Sequence, residues 1–206
     1  HRDLHTAYRR QRQMCIRDRG SISTGKSSAV DILEQSGFHI IDADSVAHQV
    51  LDEQHQVIAK EFGEVFVKDG KVDRKLLGSM IFADKEKRKI LEELLHPLIY
   101  ARIVEKSMLL DKRAEPYIVD IPLFFEGGRY AIENVIVVYA KKEQQLKRLM
   151  QREGYSEEEA LVRINTQIDI EEKRKNATYV IDNSGDLKQL QYETERIREE
   201  ILGDFL

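Results

Sequence analysis

Residues Gly20-Ser21-Ile22-Ser23-Thr24-Gly25-Lys26-Ser27 satisfy the pattern Gly, four residues, Gly-Lys-Ser/Thr, and each residue type there has a mechanical reason. Glycines let the backbone wrap closely, so that successive N–H groups aim at a phosphate. A helix opening directly afterwards adds its N-terminal dipole. Lys26 is placed to neutralise charge between β- and γ-phosphates, and the Ser27 hydroxyl to ligate Mg²⁺. A chance match in a chain of this length is on the order of one per cent from ordinary residue frequencies. A Gly-rich turn with an incidental lysine is the structural alternative, and the helix pattern beginning at once weighs against it.

Three further sets could act on a bound phosphate. Asp42 and Asp44 close the apolar run Phe38-His39-Ile40-Ile41, and the carboxyl ends of parallel strands are where ligands sit. Either carboxylate could take the proton of an attacking hydroxyl or merely cap the next helix; the loop upstream favours a catalytic role for one of them. Asp120 closes a second apolar strand and could hold the hydration shell of Mg²⁺, or form a turn before Pro122. Lys147, Arg148, Arg152 and Arg163 flank Gly154. Arg148 and Arg152 are spaced for one helical face, from which they could stabilise a transferred phosphoryl group as a lid does, or simply be solvated. Lys173-Arg174-Lys175 reads as a surface run, and His96 before Pro97 as structural. No His/Glu or Cys/His spacing suggests zinc, and no Gly-x-Ser-x-Gly suggests a hydrolase elbow.

The elements that must position these groups alternate. A helix over Ser27–Ser36 ends at Gly37, and a strand spans 38–42. Residues 43–62 have the apolar spacing of one or two helices. Asp69-Gly70 marks a tight turn between short extended pieces. A long helical region follows, in which Pro97 reads as a helix start. The runs 116–122 and 134–140 are nearly continuous apolar strands, as in a sheet covered on both faces. Ser156 with Glu159 forms a capping box, 178–182 a last strand, and 186–202 a final amphipathic helix. Strands separated by helices predict an α/β fold with a parallel sheet.

Composition narrows the class. Of 206 residues, 41% are hydrophobic and 34% charged, enough for one α/β domain with a polar surface. No apolar run approaches the ~18 residues of a membrane span. The opening residues lack a secretory pattern. One cysteine, Cys15, allows neither an internal disulfide nor a multi-cysteine zinc site. A cytoplasmic location is expected. The net charge of −4 hides an imbalance: residues 1–19 hold six Arg against Asp3 and Asp18. They read as a basic segment foreign to the fold, with a nucleic-acid-binding tail as the alternative. Met14–Arg19, with three charges at its end, does not suit the buried strand that should precede a phosphate loop. The acidic remainder argues against broad nucleic-acid binding. Nothing fixes an oligomeric state, and a monomer is compatible with every feature.

Taken in order, GSISTGKSS, IIDADSVAHQV, VDRKLLGSMIF, LLHPLI, VDIPLFFE, QLKRLMQREGYS, ALVRINTQ and YVIDNSG resemble the dephospho-CoA kinase family, from Gly20 to the C-terminal helix. The resemblance implies a three-layer P-loop NTPase fold with a parallel central sheet, a helical substrate subdomain and a helical lid. By motif, the core falls on 20–44, 114–142 and 177–206, the acceptor-binding helices on about 45–113 and the lid on about 143–176. The implied reaction is ATP-dependent phosphorylation of the ribose 3′-hydroxyl of dephospho-CoA, the last step of coenzyme A synthesis. The family's catalytic Asp falls on Asp44, its ATP site on Ser23, Thr24, Gly25, Lys26, Ser27 and Ser28, and its lid on Arg148 and Arg152. Asn183 falls where such folds hold adenine, Arg74 and His96 in the acceptor region, and Ser27 with Asp120 at Mg²⁺. The rival readings are another small-molecule or nucleoside kinase on the same fold and a non-catalytic nucleotide-binding protein.

Overall fold

The computed structural model describes residues 22–121 and 134–205. Gly20, Ser21, the expected strand position at 14–19 and the PLFFE motif from Pro122 lie outside the described residues. In chain order the elements are α1 (Lys26–Gln35), β1 (His39–Asp42), α2 (Ala43–Glu53) and α3 (His55–Phe62). A 3₁₀ turn (Glu64–Phe66), β2 (Val67–Lys68), β3 (Lys71–Val72), α4 (Arg74–Ala83) and α5 (Lys85–Arg113) follow. The chain then forms β4 (Tyr117–Asp120), β5 (Ile136–Tyr139), α6 (Lys142–Glu153), α7 (Glu157–Asn165), α8 (Ile170–Lys175), β6 (Tyr179–Asp182) and α9 (Leu187–Phe205). It divides into two compact units, Ile41–Leu109 and the described residues on either side of that span.

In the flanking unit, β5 and β6 pair in parallel from Ile136 opposite Tyr179 to Tyr139 opposite Asp182. β1 lies beside β4, tied at its start by the His39 N–H donating to the Pro116 carbonyl at 2.9 Å. All four residues of β5 are buried, because its alternating side chains serve two cores. Ile136 and Val138 join Ile118, Tyr179, Ile181 and the inner face of α1, Ala29 and Leu33, together with Ile197 and Ile201 of α9. Val137 and Tyr139 point to the other side, against Ile170. Helices on both faces of parallel strands thus explain the continuous apolar runs.

The unit 41–109 is built differently. β2 and β3 form an antiparallel hairpin. Asp69 and Gly70 take φ of 51° and 72°, the left-handed pair that a two-residue hairpin turn needs. Pro97, expected to start a helix, lies inside the 29-residue α5. A proline there removes one backbone bond and crowds the preceding turn. The buried stripe Leu91, Leu95, Ile99, Ile103, Ser107 runs past it at steps of four, and this packing holds the helix continuous. A second correction concerns Lys173. It is buried, on the same face of α8 as Ile170, since positions three apart share a helical face and a lysine stem can cover apolar surface. Arg174 stacks on the Tyr139 ring at 4.6 Å. Among the described residues no helix is long and apolar enough to cross a membrane.

Tyr179 ties β6 to α9, its hydroxyl donating to Asp204 Oδ2 at 2.6 Å. Burial, reinforced by the Asp204 carboxylate, pushes its phenol up to about 12. Because the folded value is raised, this contribution is complete below about pH 10, the ordinary tyrosine range, and is lost as pH rises through about 12. Tyr179→Phe is therefore expected to lose about 1 kcal/mol at neutral pH and to unfold with a shallower alkaline dependence. Urea unfolding over a pH series checks this; parallel alkaline limbs for parent and variant would contradict it.

Candidate nucleotide site

The loop entering α1 is wrapped, as the glycine pattern requires. Gly25 takes φ 90° at the N-cap position of α1, and among the described residues no side chain caps that helix end, the kind of terminus that suits an anion. Ser23 is also left-handed, with φ 61°, a conformation that costs a non-glycine residue energy and survives only where neighbours enforce it. Thr24 is buried and Ser27 and Ser28 are exposed at the helix start.

Lys26 and Asp120 meet directly. Lys26 Nζ donates to Asp120 Oδ1 at 2.8 Å, with the two side chains 30% and 17% exposed. The end of β4 is thereby brought to the loop as the strand-end rule requires. Asn183, at the end of β6, is 6% exposed. Its Nδ2 donates to the Thr24 carbonyl at 2.7 Å, and its backbone N–H to the Tyr139 carbonyl at 2.7 Å. A Cβ at residue 25 would collide with that same Nδ2, which is a second reason for Gly25 beyond its φ. Arg148 Nη2 donates to the Asn183 carbonyl at 3.0 Å, and Gln144 Nε2 to the Ser184 carbonyl at 2.5 Å. α6 is therefore fastened to the turn that touches the loop.

Ser23 Oγ, Thr24 Oγ1, Ser184 Oγ and Arg148 Nη1 are buried and find no hydrogen-bond partner among the described residues. Buried polar atoms normally find partners, and these belong to the loop, the Asn183–Ser184 turn or the arginine bonded to that turn. Such a collection of unspent donors suits an anion. Among the described residues no group of three His, Cys, Asp or Glu could hold a metal. Ser27 and Asp120 supply the hard oxygen donors that Mg²⁺ takes alongside water and phosphate.

Other expected residues separate. Arg152 pairs with Glu153 at 2.7 Å in solvent, and Arg163 stacks over the Tyr155 ring at 3.9 Å; Lys147 is exposed. In the unit 41–109 the two carboxylates after β1 have different environments. Asp42 Oδ1 accepts from the N–H groups of Asp44 and Ser45 at 2.9 and 3.3 Å, so Asp42 is the cap of α2. Asp44 is exposed in the first turn of that helix. Arg74 Nη2 donates to Asp52 Oδ2 at 3.2 Å, and Asp52 Oδ1 accepts from the Val72 N–H. His96 is half-buried within α5.

One contact had no counterpart in the sequence reading. Gln167 Oε1 accepts the Ile22 N–H at 2.8 Å. Gln167 lies in the ALVRINTQ segment, but no charge or spacing distinguishes a glutamine just past a helix end; only its carbonyl acceptor hints at a role.

A wrapped phosphate loop, its lysine at a strand-end carboxylate, and strands paired in parallel between helices define an α/β phosphate-loop protein of the nucleotide-dependent kinase type. A family model described as "Dephospho-CoA kinase" matches residues 14–189. It starts before Gly20 and so takes in Met14–Arg19, which the motifs alone did not. A "Dephospho-CoA kinase" of Sulfurimonas denitrificans is 48% identical over 187 residues, covering 91% of this chain and 94% of that protein. One of Helicobacter pylori is 43% identical, covering 89% and 95%. The solved structure titled "Dephospho-CoA kinase from Campylobacter jejuni" is 40% identical with a TM-score of 0.77, covering 93% of this chain and 98% of that one. The chain belongs to the dephospho-CoA kinase family and is a kinase.

Gly25→Ala is expected to weaken ADP binding by about tenfold or more, since the change adds left-handed strain of about 1–2 kcal/mol to the collision with Asn183. Calorimetric titration with ADP measures this; unaltered affinity would mean that the loop tolerates a side chain there.

Proposed function

We propose that this chain transfers the γ-phosphoryl group of ATP to the ribose 3′-hydroxyl of dephospho-CoA, giving coenzyme A and ADP. The reading is carried by one observation: a phosphate loop already wrapped, with Lys26 against Asp120, in a chain of this family.

In this reading the loop residues Ser23 to Ser28 cradle the β- and γ-phosphates. Lys26 exchanges Asp120 for phosphate oxygens when nucleotide arrives. Ser27 and Asp120 would hold Mg²⁺, which would supply positive charge to offset that on the transferring group. Arg148 directs its buried Nη1, which has no partner among the described residues, to the same charge, and Arg152 exchanges Glu153 for phosphate. Asn183 serves the nucleotide from behind, with its amide engaged by Thr24. The helices of about 45–113 form the acceptor-binding part, in which Arg74 and His96 contribute to holding dephospho-CoA, and about 143–176 act as the lid.

Asp44 orients the 3′-hydroxyl and accepts its proton as oxygen attacks phosphorus in line; the bond from phosphorus to the β,γ-bridging oxygen breaks and ADP leaves. The capping of α2 by Asp42 supports this choice between the two carboxylates, because Asp42 is committed to two backbone N–H groups. No covalent enzyme intermediate is needed.

Asp44→Asn is expected to leave ADP affinity within about threefold of the parent while lowering kcat by ~10²-fold or more, the scale of general-base loss. Near-normal turnover would remove Asp44 from that role. A coupled ADP-release assay with dephospho-CoA beside nucleosides and nucleoside monophosphates tests the acceptor. Release stimulated by dephospho-CoA alone is expected, and equal stimulation by a nucleoside would overturn the assignment.

A further inference from the structure

Ile22 is held twice by one hairpin. Its backbone N–H donates to Gln167 Oε1, directly past the end of α7. Its side chain packs against the cluster of Leu149, Ala160 and Ile164 that joins α6 to α7. Two residues on, the Thr24 carbonyl accepts from Asn183, whose own carbonyl accepts from Arg148 of α6. Between these two attachments sits Ser23, left-handed at φ 61°.

From this arrangement we propose that Gln167 and Ile22 form a latch that fastens the phosphate loop to the α6–α7 hairpin, with Gln167 as a positioning residue for nucleotide binding. The inference rests on the loop's reading as a phosphate site and is independent of the acceptor's identity.

Ser23 is strained between two fixed points. A serine in the left-handed region relaxes toward negative φ unless both flanks are held. Asn183 holds the Thr24 side and Gln167 the Ile22 side. With Gln167 unable to accept, the Ile22 N–H loses its partner, Ser23 can relax, and the following N–H groups no longer converge on one phosphate position. The same hairpin also reaches the loop through Arg148 and Asn183. Any displacement of α6 and α7 therefore acts on the loop at both ends of the strained residue.

The test compares Gln167→Met, similar in length but a poor acceptor, with Gln167→Glu, which retains an acceptor oxygen. Three quantities are read: hydrogen exchange of the Ile22 amide, ADP affinity by calorimetry, and KM for dephospho-CoA. In Q167M, exchange at Ile22 and the Kd for ADP are both expected to rise about tenfold, the scale of an orphaned, partly buried donor. KM for dephospho-CoA should stay within about twofold, since only the nucleotide side is touched. Q167E should restore exchange and ADP affinity to within about threefold of the parent, as an acceptor-based role requires. The latch is overturned by parent-like ADP affinity in Q167M, by Q167E being as impaired as Q167M, or by acceptor KM rising in step with Kd. It is overturned as well, with no variant needed, if the Ile22 amide of the parent exchanges like an unprotected one. ADP affinity and Ile22 exchange need no acceptor, so failure of the latch is distinguishable from failure of the dephospho-CoA assignment.

Discussion

The organisation of the nucleotide site depends on one hydrogen bond, from the Asn183 amide to the Thr24 carbonyl. It brings the end of β6 so close to the loop that residue 25 has no room for a side chain. The parallel pairing of β5 and β6 fixes where Asn183 stands, because its N–H continues the ladder to Tyr139. Tyr139 is fixed in turn by burial on the far face of β5. The loop's shape is thus set by the strands beneath it as much as by its own glycines. A backbone that must present several N–H groups to one anion cannot close upon itself, so its rigidity has to come from neighbours.

Charge is arranged with similar economy. Lys26 is held against Asp120, which keeps a partly buried ammonium compensated and aimed at the loop. Arg148 spends one nitrogen on the Asn183 carbonyl and keeps another buried with no partner among the described residues. In the unit 41–109, Asp52 satisfies both the Val72 N–H and Arg74. Each cation that the proposed reaction needs is thus pre-oriented by a protein group.

Much of this was legible in the residues. Gly20 to Ser27 announced a phosphate loop, Asp69-Gly70 a tight hairpin turn, and the apolar runs 116–122 and 134–140 strands covered on both faces. What remained hidden was tertiary. Pro97 reads locally as a helix start, and only the stripe from Leu91 to Ser107 keeps α5 continuous through it. Lys173 reads as surface because charge dominates a three-residue run, yet the face it shares with Ile170 decides its burial. Gln167 carries no sequence signal, since its acceptor matters only once the chain brings Ile22 back to it across 145 positions. Asn183 enters the sequence reading only through the family resemblance, and its amide's partner could be known only from the fold.

The two carboxylates after β1 carry a consequence for how such sites are found. Asp42 spends itself on the backbone of α2, whereas Asp44 stands exposed in the first turn of that helix. If Asp44 carries the proposed role, a survey scored on growth alone would register loss at Asp42 through helix initiation and at Asp44 through chemistry, and would merge them into a single functional pair. Two acids so close in sequence are therefore ambiguous as a signature, and the ambiguity resolves only when protein abundance and turnover are scored separately. Capping geometry supplies that separation in advance, sorting the residue that shapes the scaffold from the one the scaffold presents.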